Sequence, residues 1–300
     1  KTDGSIYLHC DPTASHYIKV LMDMIWGCDN FRNEIVWYYK TGGRTRRAYS
    51  KQHDILLFYS KSNKWIFNAD EIGIRRGDKT NHHMKKNIDE NGKIYWSIKS
   101  AGKLYKYYED DLLTPEDTWL DISHMQQKDP ERLGYPTQKP KALLERIIKA
   151  SSKVGSIVLD PFCGCGTTID AAQSLNRKWI GIDVTWLSID LIDKRLKDTY
   201  KDKVAGKYSI KGNPTDLASA RALAIKSKKE FEIWAISLVG AQSREHDGGV
   251  DGIFGFIEKD RKPRTIIVQV KGGDTVNPEM IRALKGTVEN EKAAIGLFIT

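Results

Sequence analysis

The stretch Ser156-Ile157-Val158-Leu159-Asp160-Pro161-Phe162-Cys163-Gly164-Cys165-Gly166-Thr167-Thr168 constrains this chain more than any other. Ile157, Val158 and Leu159 read as a buried β-strand that ends at Asp160. A glycine-containing turn follows, and a helix is predicted over 169–175. Gly164 and Gly166 lack a Cβ, so the backbone can turn sharply there and approach a ligand closely. The helix aims its free N–H groups at that turn, which favours an anion. Lys178-Trp179-Ile180-Gly181-Ile182-Asp183 reads as a second strand ending in a carboxylate. Asp183 lies 23 residues after Asp160, about the spacing at which a nucleotide-binding βαβ unit sets an acid on a ribose. The glycine spacing departs from G-x-G-x-x-G, which argues against a dinucleotide site. Geometry alone leaves two readings, a nucleotide site or an ordinary strand-to-helix packing turn.

The wording is more specific than the geometry. Leu159 to Thr168, LDPFCGCGTT, resembles the S-adenosylmethionine motif of DNA amino-methyltransferases, which act on adenine N6 or cytosine N4. Upstream, Gly134 to Pro140, GYPTQKP, resembles the other half of that family's cofactor pocket. The resemblance implies an α/β fold with a Rossmann-like methyltransferase sheet and S-adenosylmethionine as cofactor. It places Thr137, Gln138, Lys139, Asp160, Pro161, Phe162, Gly164, Gly166, Thr167 and Asp183 in the cofactor site, with Asp183 on the ribose. It also implies double-stranded DNA as partner, adenine N6 favoured over cytosine N4, a restriction–modification system and a cytoplasmic location.

Upstream of these motifs, three strands are expected over residues 4–10, 33–39 and 53–59. Asp11 or Thr13 can cap a helix whose apolar positions Ile18, Leu21, Met22 and Ile25 recur at helical spacing. GSIYLHCDPTASHYIKVLMD, NFRNEIVW and HDILLFYSK are similar to the catalytic-half strands of the same methyltransferases, here placed before the cofactor half. That family's catalytic tetrad, Asp/Asn/Ser-Pro-Pro-aromatic, is not found. Asp11-Pro12-Thr13-Ala14 lacks the second proline and the aromatic residue. The chain opens on Lys1 and closes on the strand-like Gly296-Leu297-Phe298-Ile299-Thr300, so both ends are expected to be cut. The tetrad is expected upstream of Lys1, and no residue is assigned to methyl transfer.

Charge adds a partner. The net charge is +9 and the pI about 9.1, which suggests a polyanion. From Lys40 to Asp110 there are 16 lysines and arginines against 8 aspartates and glutamates, a local net of +8. The segment of about 68–133 has few apolar runs, several Gly-Asn-Asp turns and aromatics among its lysines. It reads as the inserted target-recognition region, suited to tracking phosphates. Arg44, Arg46, Arg47 and Lys51 lie on the linker between two strands and are expected to contact DNA. His82-His83 is not read as a metal pair, because adjacent residues rarely share a ligand geometry.

Near Gly206 the methyltransferase pattern stops, and a domain boundary is expected there, giving domains of 1–205 and 206–300. In the second, Gly248-Gly249-Val250-Asp251-Gly252 forms a turn that delivers a carboxylate to the mouth of a strand. Thr265 to Gly273 is a central strand on which Gln269 and Lys271 share one face. A strand-end lysine beside a carboxylate can hold a divalent metal and orient a water. The pattern resembles the Mrr-type restriction-endonuclease-like family, whose site reads Asp…(Glu or Gln)-x-Lys. The resemblance implies an α/β nuclease-like domain with Mg²⁺ held by Asp251 and Gln269. Lys271 is the catalytic lysine of that site, and Glu232 a helix-borne partner.

Cys10, Cys28, Cys163 and Cys165 do not form a disulfide framework in a chain of 300 residues. No apolar run reaches the 18 or so residues a membrane span needs. Two other function classes stay open: a methyltransferase acting on RNA or a small molecule, and a non-catalytic DNA-binding protein.

Overall fold

The computed structural model describes residues 2–40, 46–75, 84–135, 137–244, 249–258, 261–273 and 275–300. Arg44, Pro136, His82, His83 and Gly248 fall outside them. Two compact units emerge, Lys1–Pro161 with Thr167–Gly181, and Phe162–Gly166 with Ile182–Thr300. The boundary expected near Gly206 lies inside the second unit.

The first unit opens with β1 (Ser5–Cys10), α1 (Pro12–Trp26), β2 (Phe31–Tyr38) and β3 (His53–Ser60). Then come five short strands, β4 (Ile74–Arg75), β5 (Lys85–Ile88), β6 (Ile94–Ser100), β7 (Lys103–Tyr108) and β8 (Leu112–Leu113), followed by β9 (Thr118–Trp119). It closes with α2 (Lys141–Ser151), β10 (Ile157–Asp160), α3 (Thr167–Ser174) and β11 (Lys178–Gly181). The main sheet runs β1-β3-β2-β9, with β3 antiparallel to both neighbours. β3 is central and buried on both faces, as its unbroken apolar run requires. On one face Ile35, Trp37, Leu56, Phe58, Trp119, Ile122 and Leu143 form a core. On the other, Ile55, Leu57 and Tyr59 pack against Met22 of α1.

Asp11 caps α1, its carboxylate accepting the N–H groups of Thr13 and Ala14. The helix buries Met22 and half-buries Ile18, but leaves Leu21 56% and Ile25 75% exposed. Helical spacing alone admits either stripe. The seam Ser15-Ile18-Met22-Trp26 wins because β3 offers Ile55, Leu57 and Tyr59 to it.

The buried strand expected at Ile157–Leu159 is covered on one face only. β10 pairs in parallel with β11, and Val158 and Trp179 pack under Ile148, Ala171 and Ala172. Ile157, Leu159 and Ile180 point the other way and stay about half exposed. Among the described residues β10 has no second neighbour.

Arg177 ties this unit together. Its side chain is 4% exposed. It donates to the Ser152 carbonyl at 2.9 Å, the Leu175 carbonyl at 2.9 Å and the Ser152 hydroxyl at 3.1 Å. The half-exposed Glu71 carboxylate lies at 3.3 Å.

The second unit contains α4 (Trp186–Tyr200), α5 (Leu217–Lys226), α6 (Lys228–Leu238), β12 (Gln242–Ser243), β13 (Gly252–Ile257), β14 (Pro263–Val270), α7 (Pro278–Asn290) and β15 (Ile295–Ile299). Its sheet runs β12-β13-β14-β15. β13 is antiparallel to β14, and α7 carries the chain to β15, which is parallel to β14. Both faces of β14 are covered. Val268 and Val270 pack with Ala220, Phe231, Ala235 and Ile236 of α5 and α6. Ile267 packs with Leu284 of α7 and with Val250. Asp216 caps α5 through a reciprocal capping box with Ser219.

Removing the Arg177 guanidinium takes a donor from the Leu175 carbonyl and from the buried Ser152 carbonyl and hydroxyl, although Asn68 still donates to that Ser152 carbonyl. Arg177→Ala is expected to cost about 3 kcal/mol and Glu71→Gln less than about 1 kcal/mol, because Glu71 faces solvent. Urea unfolding of the two variants checks the contrast.

Candidate functional site

The turn after β10 is built by the second unit's own residues. The Cys163 N–H donates to the Ile182 carbonyl at 3.0 Å, and the Gly166 N–H closes onto the Cys163 carbonyl at 2.8 Å. Gly164 and Gly166 sit at φ of 50° and 77°, where a side chain is strained. At Gly166 a Cβ would also lie 2.4 Å from Ile192 Cγ1 of α4. Cys163 and Cys165 are buried in the turn.

Asp183 stands at the centre of this arrangement. One carboxylate oxygen accepts the Gly164 N–H at 2.9 Å. The other accepts the N–H and the hydroxyl of Thr185, each at 2.9 Å. Partial burial pushes the Asp183 pKa up, but the Thr185 and Gly164 donors outweigh it and hold the carboxyl below its ordinary value. Phe162 and Val184, each 85% exposed, present apolar surface on either side of the turn and the acid in the chain.

The other expected cofactor residues take several environments. Asp160 ends β10, half-buried, and Thr167 is buried as the first residue of α3. Pro161 and Thr137 are exposed. The Gln138 side chain is spent on its own loop: Oε1 accepts the Leu133 N–H at 2.8 Å and Nε2 donates to the Glu131 carbonyl at 2.6 Å. Lys139 donates to the Thr137 carbonyl at 3.2 Å.

In the first unit a cleft of about 230 Å³ brings Gln138 and Lys139 together with Trp37, Tyr39, Asp54, His124, Arg132 and Tyr135. Asp54 is its acidic wall. His9 Nε2 lies 2.8 Å from Asp54 Oδ2, and the Tyr39 hydroxyl donates to Oδ1 at 2.9 Å. Burial raises the Asp54 pKa, but the His9 and Tyr39 contacts and the charge on Lys139 together hold it low. Burial, followed by the Asp54 contact, pushes the Tyr39 hydroxyl up to about 12. The sequence reading passed over Trp37, Tyr39 and Asp54. Their signal was a pair of aromatics two residues apart at the end of β2 and a carboxylate second in an otherwise apolar β3.

In the second unit Asp251 immediately precedes β13. Its N–H donates to the Val268 carbonyl at 3.0 Å, and its Oδ2 accepts the Val270 N–H at 2.7 Å. The carboxylate is thus fastened to the strand at the residue between Gln269 and Lys271. Gln269 is 6% exposed, and its Oε1 has no hydrogen-bond donor among the described residues. Lys271 is exposed at the end of β14. Glu232 on α6 pairs with Lys229 at 2.6 Å. Among the described residues no three His, Cys, Asp or Glu side chains cluster as a metal site. Arg46, Arg47 and Lys51 are exposed.

Residues 1–194 match the family model described as DNA methylase, of the N6/N4 methyltransferase type. The chain belongs to the DNA methylase family. Residues 227–300 match a second model, described as restriction endonuclease, so a restriction-endonuclease-like domain follows the methylase. The type II methyltransferase M.HpaI of Haemophilus parainfluenzae is 32% identical over 219 residues, 73% of this chain and 61% of its own length. The type II methyltransferase M1.MboII of Moraxella bovis is 33% identical over 192 residues, 61% of this chain and 68% of its own length. This methylase chain therefore spans about three-fifths to two-thirds of these relatives. A crystal structure of the M1.HpyAVI–SAM complex aligns over 65% of this chain and 76% of its own, with 24% identity and a TM-score of 0.41. Among the described residues no helix is long and apolar enough to cross a membrane.

Because the Asp183 pKa is depressed on folding, its stabilising contribution is present above the ordinary carboxylate range and is lost as pH falls below it. The difference in urea midpoint between the wild-type chain and Asp183→Asn is expected to be largest near neutrality and to shrink in acid. A difference that grows on acidification would show that Asp183 is not held as the anion.

Proposed function

We propose that this chain is part of an S-adenosylmethionine-dependent DNA methyltransferase that modifies an exocyclic base nitrogen, linked to a Mg²⁺-dependent endonuclease domain of a restriction–modification system. The observation that carries the first half is the contact between the Asp183 carboxylate and the Gly164 N–H. It fixes an ionised acid beside a Cβ-free turn, in a chain of the DNA methylase family. That combination suits a ribose diol at Asp183, with Phe162 and Val184 offering apolar surface to a flat base. Asp160, Pro161, Gly166 and Thr167, with Thr137, Gln138 and Lys139 of the upstream motif, complete the set assigned to the cofactor. Of these, Gln138 acts through the loop it clamps, since both ends of its amide are committed to backbone. When bound, S-adenosylmethionine supplies an electrophilic methyl group on a sulfonium. Adenine N6 is the first acceptor to test, and a base in duplex DNA must leave the stack to be reached.

The Trp37–Tyr39–Asp54–Lys139 cleft supports this reading from the first unit. Its aromatic walls and anchored acceptor suit a planar group that bears an amino function. The exposed Arg46, Arg47 and Lys51 are proposed to meet the duplex, and Arg44, assigned the same role, lies outside the described residues.

For the second activity, the residues fit a divalent cation on one observation. Among the described residues Gln269 Oε1 is a buried acceptor without a donor, one residue from the strand position that fastens Asp251. Asp251 and Gln269 are the proposed Mg²⁺ ligands, and Lys271 stands at the solvent end of the same strand face. Gln is neutral, so the site carries one negative charge fewer than an Asp–Glu pair and is expected to hold Mg²⁺ more weakly. Glu232, engaged by Lys229, would have to exchange that partner to contribute.

Asp183→Ala should weaken S-adenosylmethionine binding by more than about ten-fold, the equivalent of one charge-assisted hydrogen bond. Calorimetry giving unchanged affinity in a folded variant would remove Asp183 from the site. For the nuclease half, Lys271→Ala in the protein carrying both domains should abolish Mg²⁺-dependent cleavage of unmethylated duplex and leave cofactor binding intact. Loss of both together would point to misfolding rather than to two separable sites.

A further inference from the structure

The stretch 195–226 lies between the two family matches, 1–194 and 227–300, and neither proposed activity uses it. α4 ends at Tyr200, and a turn of 3₁₀ helix, Lys201–Lys203, follows. The chain then comes back along α4, since the Tyr208 hydroxyl donates to Asp193 Oδ1, about two helical turns before the end of that helix. Between α4 and the returning segment lies a cavity of about 530 Å³, larger than the cleft at Asp54. That volume falls within the roughly 300–1,000 Å³ of small-molecule sites. All of its lining except Asp193 comes from the unmatched stretch.

The lining separates apolar groups from charge. Val204, which is buried, and Ile210 stand with Tyr208 as the apolar part. The one carboxylate is already met on both oxygens: Asp193 Oδ1 accepts the Tyr208 hydroxyl, and Oδ2 accepts the Lys197 ammonium at 2.7 Å. Burial, followed by the Asp193 contact, pushes the Tyr208 hydroxyl up, so the phenol stays protonated and donating. Lys201 is left: it is exposed, and among the described residues no carboxylate pairs with it. Its backbone sits at φ 47°, which glycine adopts freely and a lysine only under strain. At Gly206, where φ is 68°, the same segment does use glycine. The ammonium at 201 is therefore carried at a cost to the backbone. Residues 193–211 hold seven lysines and arginines against three aspartates, a local net of +4, so the potential around the cavity is positive.

We infer that this cavity binds a small amphiphilic anion, its carboxylate or phosphate on Lys201 and its apolar body against Val204, Ile210 and Tyr208. An unpaired ammonium beside an apolar wall suits that class better than either of its halves. An inorganic anion would leave the wall in water, and an uncharged hydrocarbon would leave the ammonium without a counter-charge. A cation would meet the positive local field, with Asp193 already neutralised by its two donors. The inference rests on neither the methyl-transfer reading nor the nuclease reading.

The test titrates residues 1–300 with two fluorescent probes, anilinonaphthalene sulfonate and the uncharged phenylnaphthylamine, which shares its rings but lacks the anion. Lys201→Gly should weaken sulfonate binding about three- to five-fold, the scale of one solvent-exposed charge pair, and leave the uncharged probe unaffected. Lys201→Arg, which keeps the charge, should keep the sulfonate affinity. Glycine takes φ 47° without strain, so Lys201→Gly should unfold in urea close to the wild-type midpoint, which shows that the variant is folded. Decanoate or decyl phosphate should displace the sulfonate probe from the wild-type chain, the stronger of the two identifying the head group, and decanol should not. Sulfonate affinity indifferent to Lys201→Gly would overturn the assignment of the site. An uncharged probe that bound as tightly as the sulfonate, displacement by decanol as readily as by decanoate, or displacement by neither anion would overturn the assignment of the ligand class.

Discussion

The carboxylate of Asp183 holds the turn after β10 in shape. It takes three donors, the Gly164 N–H on one oxygen and the Thr185 N–H and hydroxyl on the other. Charge-assisted hydrogen bonds of this kind are about twice as strong as neutral ones. The Gly164 bond joins segment 162–166 to segment 182–185, which the chain otherwise separates by a helix and a strand. Without the acid, the Gly164 N–H would need water, and a turn built on two positive-φ glycines would lose its brace. A ligand competing for that N–H or that carboxylate would meet groups already aligned, which lowers the ordering cost of binding.

A similar economy governs the second domain. Asp251 replaces a backbone carbonyl in the ladder of β14 by accepting the Val270 N–H. One side chain therefore both continues the sheet and holds a negative charge at a fixed height along it. Gln269 is carried into the core on the same strand, and among the described residues its Oε1 meets no donor, a state that costs folding free energy unless something else meets it.

Much of this was legible in the sequence. The helix over 141–151 follows from Leu143, Leu144, Ile147 and Ile148, and Asp216 announces α5 by capping chemistry that is local to a few residues. The strand-turn-helix at 157–168 and the carboxylate at Asp183 were readable because a glycine pair and a fixed interval leave little freedom. What escaped depended on partners distant in the chain. β10 looked buried because Ile157, Val158 and Leu159 are apolar, yet burial is decided by neighbours, and only Val158 has them on its face. The stripe of α1 was ambiguous until β3 selected Met22 over Leu21 and Ile25. The Asp54 cluster needs His9, Tyr39 and Lys139 from three separate stretches, and no local pattern predicts that convergence. Gln138 stands in a legible motif, but its commitment to Glu131 and Leu133 is visible only in three dimensions.

The half-covered face of β10 and β11 gives the first unit a second response to ions. Ile157, Leu159 and Ile180 present about half their surface to water there, and strongly hydrated anions such as sulfate raise the free energy of such a surface. The lysines of β5, β6 and β7 respond in the opposite sense, since any added electrolyte screens them. A single rise in ionic strength therefore loosens one surface of the molecule and makes another stickier. Chloride and sulfate at equal ionic strength would separate the two, because screening follows charge whereas the apolar face follows the identity of the anion.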